Sequence, residues 1–381
     1  MKTYFVTGST GVIGSALIPL LLQDNNTEVE LLIRADDDKQ LDDRLQALIN
    51  FWGYKKDEKE ILNRIRTIRG DMSLLCFGMI PEEYEKLCSK CTNIIHSAGN
   101  VKMNLPIEKA LNCSVDSTRN IIALARECKS NGQLKKVDFI STVGVGGKNR
   151  DLIREEWITN ERLFHNTYEE AKAEAETYIY NEIKDGMPIT VHRPSMVVGG
   201  SITGKIIHFQ IFYHLCEFLS GRRTFGITPR ITDMYLDTIP VDYAAKAIAW
   251  SSKQTSTIGK ILHLCSGPNQ SISIPVLKEN IQKIFKSFGE KFPKPVCIPL
   301  NLFRASLPIT AFFASQKTKR AIKTLPVFFD YLGEKQSFEC TNTRAILEPE
   351  GIKIPDVNKY LEAILGYYLK NRAKSIVKRK G

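Results

Sequence analysis

From the first residue to about 265, short apolar runs alternate with amphipathic segments of helical length, and no other feature limits the fold as much. The runs fall near 3–7, 28–34, 65–69, 92–97, 136–141, 188–193 and 260–264. A strand covered on both faces is apolar along its length, and parallel neighbours need long, usually helical crossovers. The pattern therefore predicts an α/β fold, a Rossmann-type doubly wound parallel sheet of about seven strands.

The first run leads into Thr7-Gly8-Ser9-Thr10-Gly11-Val12-Ile13-Gly14, which opens an amphipathic helix over Val12 to Leu22. Glycines permit a tight turn, let backbone amides approach a pyrophosphate, and let the helix pack close to the sheet. Many glycine-rich strand-to-helix junctions bind nothing, but a strand before, a helix after and an N-terminal position together point to a dinucleotide. The amides of Thr10, Gly11, Val12 and Ile13 are expected to face its phosphates. The second strand ends in Arg34, where an acid would bind a ribose 2′-hydroxyl and repel a 2′-phosphate. This favours NADPH over NADH, tempered by Asp36, Asp37 and Asp38 just beyond. Gly70-Asp71-Met72 and His96-Ser97-Ala98-Gly99 end the third and fourth strands. They add Asp71 and Met72 on the adenine side, and Ser97, Ala98 and Gly99 as small residues against the dinucleotide.

Tyr168 and Lys172 stand four apart at the head of an Ala- and Glu-rich segment, on one face of an expected helix. An ammonium beside a phenol favours the phenolate and lowers its pKa from about 10, giving acid–base apparatus for carbonyl reduction. Tyr-x-x-x-Lys also occurs on helices with no function. The fifth strand supplies the further signal, ending in Ser141-Thr142 before Val143-Gly144-Val145-Gly146-Gly147. A hydroxyl there can hydrogen-bond a carbonyl or a developing oxyanion, and either Ser141 or Thr142 could provide it.

Beyond about 266, Pro293, Pro295, Pro299, Pro308, Pro326, Pro349 and Pro355 punctuate short helical pieces, and Phe328, Phe329 and Tyr331 gather. The expected division is a dinucleotide-binding domain over 1–265, with 199–235 contributing to a smaller, mostly helical substrate-binding lobe. Residues 266–381 complete that lobe and end in a basic tail. Substrate is expected in the cleft between the lobes. Phe209, Phe212, Tyr213 and Phe218 fit either an acyl pocket or, preferably, an ordinary buried helix. A 43% hydrophobic, 25% charged composition excludes fibrous and disordered classes. The net charge of +11 suits a phosphate-rich ligand, and part of it lies in the tail at Lys370, Arg372, Lys374, Lys378, Arg379 and Lys380. That tail is a solvated end, with weak contact to an anionic membrane surface as the alternative; nucleic acid is not expected. No run is long enough to span a membrane, and Val296 to Phe313 is broken by Pro299, Arg304 and Pro308. Nine scattered cysteines, no metal-binding cluster and a strand beginning at once point to a reducing cytoplasm.

The glycine turn, the hydroxyl-bearing strand end and Tyr-x-x-x-Lys resemble the extended short-chain dehydrogenase/reductase superfamily. Within it the chain resembles the thioester reductase and fatty acyl-CoA reductase group, the male-sterility-type NAD-binding family. That narrowing rests on Leu32-Ile33-Arg34-Ala35, Gly70-Asp71-Met72, His192-Arg193-Pro194-Ser195 running on to Val198-Gly199-Gly200-Ser201-Ile202-Thr203-Gly204, and Leu236-Asp237-Thr238-Ile239-Pro240-Val241-Asp242-Tyr243. The motifs keep the family's order over residues 1 to about 265. The resemblance implies a Thr142–Tyr168–Lys172 triad, with Tyr168 as general acid and Lys172 also binding the nicotinamide ribose. It implies hydride transfer from NADPH to an acyl thioester, giving a hemithioacetal, then an aldehyde or, after a second hydride, an alcohol. With no adenylation or carrier domain in the sequence, the acyl group is expected on coenzyme A or a separate acyl carrier protein. Relatives commonly show N-V-x-G-T where this chain has Ser114-Val115-Asp116-Ser117-Thr118, which puts a proton relay there in doubt. Sugar-nucleotide epimerisation or dehydration, ketone or hydroxysteroid-type reduction, and non-catalytic NADPH sensing are the competing readings.

Overall fold

The computed structural model describes residues 1–103, 105–149, 151–222, 224, 226–291, 293, 296–305 and 336–372. Pro295, Pro308, Pro326, the aromatic group Phe328, Phe329 and Tyr331, and the tail cations Lys374, Lys378, Arg379 and Lys380 lie outside the described residues. In chain order the main elements begin with β1 (Lys2–Thr7), α1 (Val12–Leu21), β2 (Thr27–Ile33), α2 (Asp38–Trp52), β3 (Ile65–Arg69), α3 (Pro81–Lys90) and β4 (Asn93–His96). They continue with α4 (Ser117–Ser130), β5 (Lys136–Ile140), α5 (Thr167–Lys184), β6 (Ile189–Pro194), α6 (Ile211–Leu219), α7 (Val241–Ser251) and β7 (Ile261–Leu264). Helices α8 (Ile274–Ser287), α9 (Thr341–Leu347) and α10 (Val357–Asn371) follow.

All seven strands pair in parallel, in the order β7-β6-β5-β4-β1-β2-β3. The expected doubly wound α/β sheet is present. Its apolar runs are explained by two-sided burial: along β1, Tyr4 and Val6 enter one core while Phe5 enters the other. Chain order reverses between β1 and β4, whose carboxyl ends meet with Thr7 opposite His96. A crevice at such a reversal is where open α/β sheets bind their ligands.

The remaining segments are tied on by short strand pairs. Leu152–Ile153 pairs with Ser337–Phe338, Met196–Val198 with Thr238–Pro240, and Ile227–Arg230 with Val296–Pro299, all parallel. Tyr235–Leu236 pairs antiparallel with Ile272–Ser273. Helix α10 contributes Tyr360, Leu361, Ile364 and Leu365 to the same core as Val12 and Leu17 of α1. Side chains from 197–239 and from 272–368 among the described residues therefore share one hydrophobic interior with the sheet. Phe212, Tyr213 and Phe218 are buried there, and Phe209 packs edge-on against Tyr213 and Tyr368, so these aromatics serve the core. Among the described residues no helix is long and apolar enough to cross a membrane.

Candidate active site

The turn after β1 has room for backbone and for nothing else. Gly8 adopts φ +71°, and a Cβ there would stand 2.6 Å from the Ala98 nitrogen and the Ser97 carbonyl. A Cβ on Gly14 would stand 2.2 Å from the Gly8 oxygen. The close approach of the β1 turn to the end of β4 therefore depends on glycine. Thr7 fastens the two strand ends: its Oγ1 lies 2.8 Å from His96 Nδ1 and accepts the Ala98 amide at 3.2 Å. The Gly11 amide donates to the Gly8 carbonyl at 2.8 Å and closes the turn, so the expectation that it faces phosphate is not met. Val12 and Ile13 open α1, where first-turn amides have no intrahelical acceptor and the helix dipole favours an anion. Ser9 Oγ is buried beside them with no hydrogen-bond partner. Buried hydroxyls are rarely left so, and together with the glycine cradle this orphaned atom fits a phosphate-bearing ligand. Thr10 lies between Ser9 and Gly11 in the same turn.

At the ends of β2 and β3, Arg34 Nη1 pairs with Asp71 Oδ2 at 3.7 Å. The Arg34 side chain is 76% exposed, so its guanidinium is open to a further anion. Burial pushes the Asp71 carboxyl up, but the Ser73 amide and hydroxyl and the Arg34 charge outweigh it and leave the pKa lowered. Met72 follows, its carbonyl accepting Asn120 Nδ2 at 2.8 Å. These residues follow β2 and β3, while Ser97, Ala98 and Gly99 follow β4.

Helix α5 supplies the titratable groups. Asn166 caps it by accepting the Glu169 amide at 3.0 Å, which sets the first turn and Tyr168 with it. One turn on, Lys172 reaches inward: Nζ donates to the Ile140 carbonyl at 3.0 Å and lies 5.2 Å from the Phe139 ring centre. A Cβ on Gly99 would be 3.4 Å from that nitrogen. The ends of β4 and β5 and helix α5 thus converge on Lys172. Burial lowers its pKa to about 8, opposed by the Glu176 carboxylate. The same ammonium, after burial itself, holds His96 neutral, with its pKa down to about 3.

For Tyr168 the direction is opposite to the sequence expectation. Burial, with Glu169 adding to it, raises the phenol's pKa above its ordinary value. The Lys172 ammonium donates one of its three N–H groups to the Ile140 carbonyl. Such a phenol stays protonated through neutrality and is available as a proton donor.

The two candidate hydroxyls separate cleanly. Ser141 Oγ donates to Glu176 Oε2 at 2.6 Å, so its proton is committed. Thr142 Oγ1 accepts the Gly144 amide at 3.1 Å, leaving its own proton free to donate. Gly144 packs against α5, where a Cβ would stand 2.9 Å from Glu169 Cγ.

Three residues near the site carried little signal of their own in the sequence. Thr7 was legible only as part of the turn motif. Ser114 sits in a π-helical turn, Asn112–Asp116, with its Oγ buried and unpartnered. Its carbonyl accepts the Ser117 and Thr118 hydroxyls at 3.0 and 2.7 Å. Glu176 carried no signal beyond its place one turn after Lys172. Among the described residues no cluster suited to a metal ion occurs.

The profile of the NAD-binding family described as "Male sterility protein" matches residues 6–248. The chain is 24% identical over 386 residues to the nonribosomal peptide synthetase asaC of Aspergillus flavus, covering 94% of this chain and 36% of the synthetase. It is 27% identical over 228 residues to a putative fatty acyl-CoA reductase of Drosophila melanogaster, covering 52% of this chain and 41% of the reductase. The chain thus spans well under half the length of these relatives. Among solved structures, the terminal R domain from the myxalamid PKS-NRPS biosynthetic pathway superposes with a TM-score of 0.83 at 23% identity, over 97% of this chain and 91% of that domain. That likeness shows the fold.

Proposed function

The chain belongs to the male sterility protein family of NAD-binding domains, and from that premise we propose that it is an NADPH-dependent reductase of acyl thioesters. The observation carrying the proposal is the placement of Lys172 Nζ at the Ile140 carbonyl, two residues before Thr142, and against Gly99, with Tyr168 one turn back on α5. The thioester is inferred from the relatives, one a peptide synthetase and one a putative fatty acyl-CoA reductase. We infer residues 1–265 as the dinucleotide-binding part, with 199–235 and the chain after 266 forming the substrate side.

In this reading the Gly8, Ser9, Thr10, Gly11, Val12, Ile13 and Gly14 turn holds the pyrophosphate, and Arg34 takes the 2′-phosphate. Asp71 and Met72 border the adenine, while Ser97, Ala98, Gly99, Tyr168 and Lys172 border the nicotinamide ribose. The nicotinamide, when bound, supplies the hydride. Thr142 donates a hydrogen bond to the carbonyl oxygen and holds it as charge develops there. Tyr168 gives that oxygen its proton, as a phenol kept protonated by burial is able to do. Lys172 offsets the phenolate left behind, because an ammonium one turn away favours the charged form. Collapse of the resulting hemithioacetal releases thiol and an aldehyde. The acyl group is proposed to arrive on a carrier protein or on coenzyme A.

Purified protein is to be mixed with NADPH and a panel of acyl-carrier thioesters, acyl-CoA esters, aldehydes and ketones, following absorbance of the reduced cofactor. Turnover of a thioester with release of one thiol per aldehyde is expected, and turnover of ketones alone would overturn the assignment. Tyr168→Phe is expected to lower kcat at least a hundredfold, the scale of a lost general acid, with cofactor affinity retained.

A further inference from the structure

We propose that Glu176 is a positioning residue for this reduction, a buried carboxylate one helical turn beyond Lys172 that holds Ser141, and with it the strand end whose Ile140 carbonyl receives the Lys172 ammonium. The proposal rests on the roles assigned above to Tyr168 and Lys172.

Tyr168, Lys172 and Glu176 recur at intervals of four along α5 and so share one face. Glu176 is only 5% exposed, and a carboxylate removed from water must be paired. Both of its oxygens are engaged. Arg193 Nε donates to Oε1 at 3.1 Å and to Oε2 at 3.2 Å, Arg193 Nη2 also donates to Oε1, and Ser141 Oγ donates to Oε2 at 2.6 Å.

Arg193 is fixed in turn. It is fully buried in β6, and its Nη1 meets the Glu156 carbonyl at 3.0 Å and His263 Nε2 at 3.1 Å. His263 Nδ1 lies 2.7 Å from the Glu339 carbonyl, which can only accept, so Nδ1 carries the ring proton and Nε2 accepts from the guanidinium. The His263 amide donates to Thr343 Oγ1 at 2.8 Å, and Thr343 and Asn342 donate their amides to Glu155. A continuous buried network therefore runs from α9 through β7 and β6 to the catalytic helix.

A buried Arg–Glu pair that served packing alone could be replaced by apolar residues at little cost. This pair has a third neighbour. The groups facing Lys172 are Tyr168 and Glu176 on α5, neutral His96 from β4, and the Ile140 carbonyl and Phe139 ring from β5. Beyond Glu176 stand Arg193 of β6 and Arg162 of the loop before α5. Of these, Glu176 is the negative charge acting on Lys172, and it opposes the burial that would otherwise discharge the amine. Without it, Ser141 loses its anchor beside the Ile140 carbonyl, and the pKa of Lys172 is expected to fall further.

The test compares wild type, Glu176→Gln and Glu176→Asp in kcat between pH 6 and 9.5, and in the pH dependence of Lys172 acylation by a small reagent, read by mass spectrometry. In Glu176→Gln the alkaline limb of kcat and the Lys172 titration are expected to move together to lower pH by about one unit, with KM for NADPH changed less than threefold. Glu176→Asp is expected to restore most of that shift. Should the single variant fail to fold with Arg193 unmatched, Glu176→Gln/Arg193→Met removes both charges and is expected to show the same movement. An unshifted Lys172 titration in the folded variants overturns the role of Glu176. Absence of thioester turnover by wild type overturns the function instead, and leaves the titration to judge Glu176 alone.

Discussion

Gly14→Ala sets two physical effects against each other. Gly14 lies in the first turns of α1, where helix propensity favours Ala by about 1 kcal/mol. The added Cβ would stand 2.2 Å from the Gly8 oxygen, 2.8 Å from its carbon and 3.0 Å from Ser9 Cα. Carbon–oxygen contacts relax only near about 3.3 Å, so turn and helix must part by about 1 Å. All three clashing atoms are backbone, and no side chain can swing aside. Overpacking of this kind destabilises by about 1–3 kcal/mol, which exceeds the gain in propensity. A shift of that size also takes amides out of line with the pyrophosphate. Losing one or two charge-assisted hydrogen bonds, each worth about 1.5–3 kcal/mol, weakens NADPH binding by roughly tenfold to ten-thousandfold. Calorimetric titration with NADPH and urea denaturation measure the two effects separately. A variant at least as stable as wild type that binds NADPH within threefold would refute the steric argument and the placement of the phosphates.

Three other perturbations follow from the same geometry. Thr142→Ala is expected to lower kcat by about tenfold to a thousandfold, whereas Ser141→Ala, which removes a hydrogen bond to Glu176, mainly lowers the urea midpoint by an equivalent of about 1–3 kcal/mol; the reverse pattern would reassign the hydroxyl. Arg34→Asp is expected to shift preference towards NADH in paired kcat/KM measurements, and an unchanged preference would show that the guanidinium does not read the 2′-phosphate. His96 and His263 are held neutral with pKa values of about 3, so below about pH 6.5 the unfolded chain takes up protons that the folded one refuses. Stability is therefore lost as pH falls through that window, by about 1.4 kcal/mol for each histidine at pH 5.5. Equal urea midpoints at pH 7.5 and 5.5 would contradict the burial of neutral rings.

Seven strands, their parallel arrangement and the site's position were legible because two-sided burial writes itself as apolar runs, and glycine as a requirement for close backbone approach. The residue types of the site were legible for the same reason: Tyr168 and Lys172 lie on one helix face whatever surrounds them. Direction and partnership were not. The sequence argument lowers the pKa of Tyr168 through its neighbour, yet in the folded chain burial, with Glu169 adding to it, raises it. Ser141 and Thr142 are equivalent on paper, and only the position of Glu176 diverts one of them. The glycine motif predicts a ring of amides, but Gly11 uses its own amide to close the turn. Local spacing and side-chain chemistry thus determined the sheet, the glycine turn and the shared helix face of Tyr168 and Lys172. Burial and long-range hydrogen bonds decided which hydroxyl is engaged by Glu176, which groups hold their protons, and how α9 is tied through Arg193 to α5, since these depend on atoms far apart in the chain.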